Sequence, residues 1–357
     1  MENEAVSSNT TNDVCLFDSP EAHPIVNPLQ EPFLNFDPIS NYSSEDKSTI
    51  LCSLVALVKA EYPFDDTLQD RAAQFLKNLG PQWGDEQPAT KLVTELVHSS
   101  AGSPSGFVES ITTLLSSPHS MVVAAAWSVI YKIVILSSLD IRCCLVESDL
   151  VSKVLVAAQP QTLPISENET IIDNLIWIIF NCINLATQPS VSELGITAAV
   201  DQSNHREMIF RKVVFPSSQF VTFLITNRHV LNGDLFKFFM YLLCGHIRIC
   251  PLHRPTLEYV LASPIAMALS SCLSFIERND TLWTTLLNIN QSLEEWKKEG
   301  PEVVQSAKRM TQALIVEGFE DTLEQMLLYE KSGYYSKDVV ESCDSISQLL
   351  GSNVKNP

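Results

Sequence analysis

From Ser43 almost to the end of this 357-residue chain, apolar residues recur at the spacing of an α-helix. Hardly any stretch alternates at period two; "RKVVF" is a short ambiguous exception. That regularity restricts the fold to helices packed on helices, and the punctuation agrees with it. "SSED" supplies a cap before "KSTILCSLVALVKAEY", in which Ile50, Leu54, Leu57 and Val58 keep helical spacing. "LQDRAAQFLKNLGP" ends with Gly80 where a left-handed residue closes a helix, and Pro81 follows. Pro88, Pro104, Pro118, Pro216, Pro264 and Pro301 each read as helix starts, since a first-turn residue has no backbone donor to lose. About fourteen to sixteen helices of roughly 8–18 residues, joined by short loops, account for the pattern. The expected class is all-α.

Three segments align on their prolines: "SPSGFVESITTLLSSPHSMVVAAAW" from Pro104, "FPSSQFVTFLITNRHVLNGDLF" from Pro216, and "SPIAMALSSCLSFIERNDTLW" from Pro264. In each a proline opens an amphipathic helix, a polar link follows, and a second helix carries a large aromatic. Trp177 in "IIDNLIWIIFNCINLA" adds a fourth. The aromatics Trp127, Trp177, Phe236 and Trp283 are therefore spaced 50, 59 and 47 residues apart. Helical units at such intervals suggest a solenoid, whose repeats bury their apolar faces only by stacking on one another.

"LLSSPHSMVVAAAWSVIYKIV" resembles an armadillo repeat: a second helix ending in Leu-Leu, a turn, then a long third helix with Val, Ala and Trp. "NLIWIIFNCINLA" is similar as well, because Trp177 and Asn181 have the Trp-to-Asn spacing of armadillo third helices. Residues 316–351 are similar to a closing armadillo repeat of the importin-alpha kind. The resemblance covers residues 100–350 discontinuously and 45–100 more weakly. At the positions corresponding to Asn181 stand Tyr131, Met240 and Leu287, so the asparagine does not recur. The resemblance implies a right-handed superhelix of two- or three-helix repeats, whose third helices line a concave groove that binds another protein.

Helical geometry points the same way. At 100° per residue, Asp173, Asn174, Trp177, Asn181 and Asn184 fall within one arc of about 100° on an otherwise apolar helix. On 280–297, Leu282, Leu286, Ile289, Leu293 and Trp296 make a core stripe, with Trp283, Thr284, Asn290, Gln291 and Glu294 on the other side. Ser120, Ala124, Tyr131 and Ser138 share the arc of Trp127. Indoles beside side-chain amides suit a groove: the ring covers a ligand side chain, and the amide bonds an extended backbone. The expected partner-binding groove is Trp127, Tyr131, Asp173, Trp177, Asn181, Asn184, Trp283, Gln291 and Glu294, with Asp173 and Glu294 attracting Lys or Arg.

The formal charge of −19 argues against non-specific nucleic-acid binding, which needs cations to replace phosphate counterions. Residues 1–46 hold nine acids and no Lys or Arg, whereas residues 201–255 hold seven bases against three acids, a local +4. Arg206, Arg211, Lys212, Arg228, Arg248 and Arg254 in that stretch read as solvated bases, or as a patch for a phosphate or an acidic segment such as the chain's own N-terminus. Ser, Asn, Asp and five prolines over residues 1–42 predict a disordered acidic tail, in which Phe33, Leu34 and Phe36 form a docking segment or a linear motif. A helical repeat domain then spans 43–351, and 352–357 form a short flexible C-terminus. Most of the nine cysteines sit in apolar runs such as "IRCCLV", as buried hydrophobes in a reducing compartment. The longest apolar runs, 121–136 and 175–187, are interrupted by Lys132 and by Asn181 and Asn184, so no membrane span is expected.

Chemistry has one foothold. "CGHIRICPLH" brings Cys244, His246, Cys250 and His253, all zinc-ligand types, into ten residues, though at no standard spacing. A buried pair of cysteines with a helix-end histidine is the preferred reading of the stretch. No GxxxxGK[ST], GxGxxG, HExxH or GxSxG occurs, and eleven glycines leave little for phosphate-cradling loops. Carboxylate pairs such as Glu294–Glu295 and Glu320–Asp321 read as solvated helix faces. The expectation is a monomeric cytoplasmic or nuclear scaffold without cofactor or catalytic residues, binding a protein or peptide. The alternative is a metal-dependent or enzymatic role at 244–253.

Overall fold

The computed structural model describes residues 28, 30–37, 42–79, 104–137, 139–162, 164–187, 198–273, 276, 279–328 and 334–355. Gly80, Pro81, Pro88 and Ser138 lie outside them, as does most of the predicted tail. Among the described residues the chain is all-α, without a strand. The α-helical segments are α1 Glu31–Leu34, α2 Ser44–Lys59, α3 Asp66–Leu79, α4 Pro104–Leu114, α5 Ser120–Leu136, α6 Leu139–Glu147, α7 Leu150–Ala158, α8 Glu169–Asn184 and α9 Ala198–Ile209. They continue with α10 Phe215–Thr226, α11 Gly233–Ile249, α12 Arg254–Leu261, α13 Ile265–Leu273, α14 Asn279–Lys298, α15 Pro301–Val316, α16 Phe319–Leu328 and α17 Lys337–Lys355.

Local signals set many of these ends. Ser43 Oγ accepts from the Asp46 amide at 3.1 Å and Asp46 Oδ2 accepts from the Ser43 amide at 3.2 Å, the reciprocal cap that "SSED" predicts. The same helix closes with Glu61 in the left-handed region, φ 52°, the Tyr62 amide reaching back to the Leu57 carbonyl at 3.0 Å. Pro104 and Pro301 open their helices as expected. Pro216 does not: helix runs unbroken from 198 to 226, with a π-helical turn Phe210–Val214 just ahead of the proline. Pro216 has no amide to offer the Lys212 carbonyl, and a wider turn makes room for its ring.

From α4 onward each helix of two rows packs on the helix three places later. One row runs α4, α7, α10, α13, α16; the other runs α5, α8, α11, α14, α17. α2 and α3 extend the two rows by packing on α4 and α5. One contiguous core of Leu, Ile, Val and Phe runs through both. Trp127, Trp177, Phe236 and Trp283 all lie in the second row, so the aromatic spacing marks equivalent helices.

Two boundaries differ from the sequence reading. Residues 31–37 fall within the predicted tail and follow the docking alternative given for Phe33, Leu34 and Phe36: Phe33 is fully buried between Phe36, Phe64 and Phe75, at ring distances of 6.3, 6.3 and 6.4 Å. Its amide donates to Ser53 Oγ at 2.9 Å, and Arg71 donates to the Leu34 and Phe36 carbonyls. At the other end, α17 continues to Lys355. Three helical runs, Glu169–Thr187, Ser203–Thr226 and Gly233–Leu252, are long and apolar enough to cross a membrane by length and composition; in each, an apolar stretch of 18 residues is 50%, 44% and 72% buried within the fold, respectively.

Candidate functional site

The residues that come together as a partly open surface lie where α8 meets α11. Spacings of four and three on α8 put Asp173, Trp177, Phe180 and Asn181 on one side. On α11, Asp234, Phe238 and Tyr241 do the same. Four half-buried rings interlock across the helix pair. Trp177 lies 4.8 Å from Phe238, 5.8 Å edge-on from Phe180 and 6.4 Å from Tyr241, and Tyr241 lies 6.2 Å from Phe180. Edge and tilted contacts of this kind suit the aromatic quadrupole. Beneath them, Gly245 lets the two helices approach: a Cβ there would meet Phe180 Cδ2 at 3.4 Å, so a side chain larger than Ala would push that ring.

Charge is placed at one end of this strip. Asp173 Oδ1 is buried and, among the described residues, has no hydrogen-bond partner. Burial, then the neighbouring Asp234 carboxylate, push the Asp173 carboxyl above its ordinary range. Asp173 in turn adds to the effect of burial in raising the Tyr131 phenol, so α5 meets the same site. An underbonded carboxylate, a second acid and an indole make a seat for a cation, which would satisfy the carboxylate and lie against a ring face. The amide works differently from the sequence reading. Asn181 Nδ2 donates within its own helix to the Trp177 carbonyl at 2.9 Å, leaving Oδ1 to accept from a guest.

The other expected groove residues divide. Trp127 is only 3% exposed and belongs to the core, so it lines no surface. A helical wheel gives the direction in which a Cβ leaves the helix, but α3 and α8 flank α5 on both sides and decide what is covered. Asn184 is half-buried on α8. Trp283, 39% exposed, with exposed Gln291 and Glu294, lies on α14, the next helix of the row. Among the described ring contacts none joins Trp283 to the cluster. Beside Gln291, Asn290 Oδ1 accepts from Ser345 of α17 at 3.2 Å, and Glu294 lies 3.8 Å from Lys297. The core stripe Leu282, Leu286, Ile289, Leu293 and Trp296 is buried as expected.

Phe180, Asp234, Phe238 and Tyr241 were missed by the sequence reading, although a signal for them exists. "DNLIWIIF" (173–180) and "DLFKFFMY" (234–241) share Asp, then an aromatic four residues on, then a second three further, at a constant offset of 61. Aligning Phe236 with Trp177 hides that match by two residues. Phe236 is buried, and Phe238 is the ring that joins the strip.

The structure does not gather the four candidate zinc ligands. Cys244, His246 and Cys250 are buried in the core, the Cys250 thiol donating to the His246 carbonyl at 2.8 Å, and burial pushes the Cys244 thiol up to about 12. His253 instead bridges Glu207, Nε2 at 3.0 Å, and the Thr256 hydroxyl, 3.0 Å from Nδ1. Among the described residues no three His, Cys, Asp or Glu side chains converge as a metal site. The Thr256–His253–Glu207 relay has the connectivity of an activated nucleophile, but Thr256 is 1% exposed and offers a substrate no approach.

His246 carries a measurable consequence. Nδ1 donates to the Leu242 carbonyl at 2.9 Å, Nε2 has no partner among the described residues, and burial lowers the pKa to about 4 from 6.5. The folded state therefore prefers neutral imidazole, a contribution complete above about pH 6.5 and lost as pH falls toward 4, amounting at most to about 3 kcal/mol. His246→Leu should flatten the stability–pH curve across that window, measured by urea midpoints at half-unit pH steps. An unchanged slope would assign the acid limb to other groups.

No protein-family model matches the chain, and no curated protein matches it. Among solved structures, the crystal structure of an engineered protein is similar at 13% identity, covering 90% of this chain and 88% of that one, with a TM-score of 0.31.

Proposed function

We propose that the chain is an armadillo-like α-solenoid that acts as a protein–protein interaction scaffold, with α5, α8, α11 and α14 forming its binding face. Supporting this reading, each helix of a row neighbours the one three places along, the adjacency that stacked three-helix units require. The partner is an extended peptide or segment bearing Lys or Arg. Its cationic head meets Asp173 and Asp234, and its stem crosses the Trp177, Phe238 and Tyr241 rings. The observation that carries the proposal is the buried, unpartnered Asp173 oxygen beside that ring cluster. On this reading the protein works as a monomer in the cytoplasm or nucleus, off the membrane, without nucleic acid or cofactor, and without catalysis of its own.

The test uses fluorescent extended peptides in matched pairs, one member carrying Lys and Arg, the other Asp and Glu at the same positions. The basic member should bind the full chain, and Trp177→Ala should weaken it at least about tenfold, as loss of an aromatic anchor does. Asp173→Asn should weaken binding several-fold while raising stability slightly, a modest gain because the group is only partly buried. That gain belongs to neutral pH. It fades as pH drops through the carboxylate range, where the native side chain is itself neutral. Equal binding of the two members, or indifference to Trp177→Ala, would refute the reading.

A further inference from the structure

The π-helical turn ahead of Pro216 builds a second surface, on helices that do not contribute to the ring cluster. In an α-helix residues five apart point about 140° from each other. Here the Phe215 amide bonds to the Phe210 carbonyl, a turn closed over five residues, and the two rings come to 6.4 Å. Tyr259 of α12 lies 6.2 Å from Phe210 and 6.4 Å from Phe215, and His253 lies 5.7 Å from Phe210. Phe215 is 61% exposed, at the open edge of this group. An aromatic so placed, framed by arginines, has the composition of an interface centre rather than of an ordinary surface.

Glu302 lines the same hollow as Arg254 and Arg309, and the two carboxylates paired with the frame are each shared. Glu207 serves both Arg211 and His253, and Glu258 serves both Arg309 and Arg254. Arg309 holds both Glu258 oxygens, at 2.6 and 3.0 Å, so Arg254 stands 3.9 Å from a carboxylate that is already engaged. The Arg211 and Arg254 side chains are 73% and 85% exposed. What fits is a segment with an apolar centre and acidic flanks. The chain contains one. "DVCLFD", 13–18, lies in a 27-residue stretch with five acids and no Lys or Arg, outside the described residues.

We propose that this N-terminal segment docks on the π-turn patch of its own chain, Leu16 and Phe17 covering Phe215 and Tyr259, Asp13 and Asp18 meeting Arg211 and Arg254. Reach permits it. The chain is tied to α2 through Gln30, whose carbonyl accepts from Ser53 at 2.7 Å. From α2 to α10 the row takes three helix-to-helix steps of about 8–10 Å, roughly 30 Å in all. Residues 17 to 30 span up to about 45 Å when extended.

The test replaces Phe17 with photoreactive benzoylphenylalanine in the full-length chain and maps the cross-links by mass spectrometry. Cross-links within one chain to 210–215 or 254–259 are expected. Their yield should fall about fivefold in an Arg211→Glu, Arg254→Glu variant, the loss expected for two exposed ion pairs, and fall similarly in 1 M salt. It should recover when Asp13→Lys and Asp18→Lys are added, which a variant that merely misfolds would not do. Cross-links to other helices, cross-links only between two copies, no cross-link, or a yield indifferent to charge reversal would each overturn the assignment. None of these outcomes bears on the basic-peptide reading of α8 and α11.

Discussion

Replacing Trp127 with alanine is expected to destabilise the protein by about 3–5 kcal/mol, the cost of removing a large buried aromatic and leaving its cavity. The indole is 3% exposed on α5, a helix held by α3 on one side and α8 on the other. The cavity would open between two neighbours of a row, where little can collapse to fill it. Denaturant unfolding followed by circular dichroism gives the magnitude. Hydrogen exchange locates it, and α3, α5 and α8 should lose protection before α14 and α17, because each helix of a row depends mainly on its neighbours. The folded fraction should retain the peptide binding proposed for the Trp177 strip. A loss below about 1 kcal/mol would mean that the indole is not packed as a core side chain.

Phe33→Ala is expected to cost a similar 3–5 kcal/mol, felt at one end of the molecule. Phe33 lies fully buried against Phe36, Phe64 and Phe75, in a segment also tied by Ser53 and Arg71. Removing the ring takes away the main apolar anchor of α1, and the backbone bonds to Ser53 and Arg71 become exposed to water. The measurement is limited proteolysis: cleavage within 28–42 should accelerate, with α2 and α3 losing amide protection next and α11 to α17 unchanged. If the whole chain instead unfolds in one step with a single lowered midpoint, α1 is coupled to the entire array. If nothing changes, the segment is not a part of the folded body.

The two variants probe places where periodicity and burial part company. Helical spacing over Ile50, Leu54, Leu57 and Val58, and over Leu282 to Trp296, predicts core stripes that are buried in the fold. Spacings of 50, 59 and 47 put Trp127, Trp177, Phe236 and Trp283 on equivalent helices of one row. What those spacings do not carry is each helix's rotation about its own axis. Trp127 and Phe236 turn inward, Trp177 is half-covered, and Trp283 is open. The offset of 61 between the Asp-aromatic-aromatic sets on α8 and α11 encodes a shared rotation, and so it identifies a site that the larger repeat obscures. Pro216 shows the same division. A proline in a helical pattern marks a boundary or a distortion, and only the packing of α7, α8 and α12 against the run 198–226 distinguishes a helix start from a π turn inside a continuous helix.

The sequence alone therefore determined the class, the main helices with many of their caps, and the positions of the recurring aromatics, because hydrogen bonding and hydrophobic periodicity act over a few residues and are written locally. Tertiary structure alone decided which indoles are covered, that Asp173 and Asp234 share a site with Tyr131, and that His253 pairs with Glu207 rather than joining a metal cluster, and it chose docking over a free motif for residues 31–37. Those outcomes depend on surfaces supplied by helices 20 to 60 residues away in the chain, and burial is a property of the pair of surfaces, not of either one.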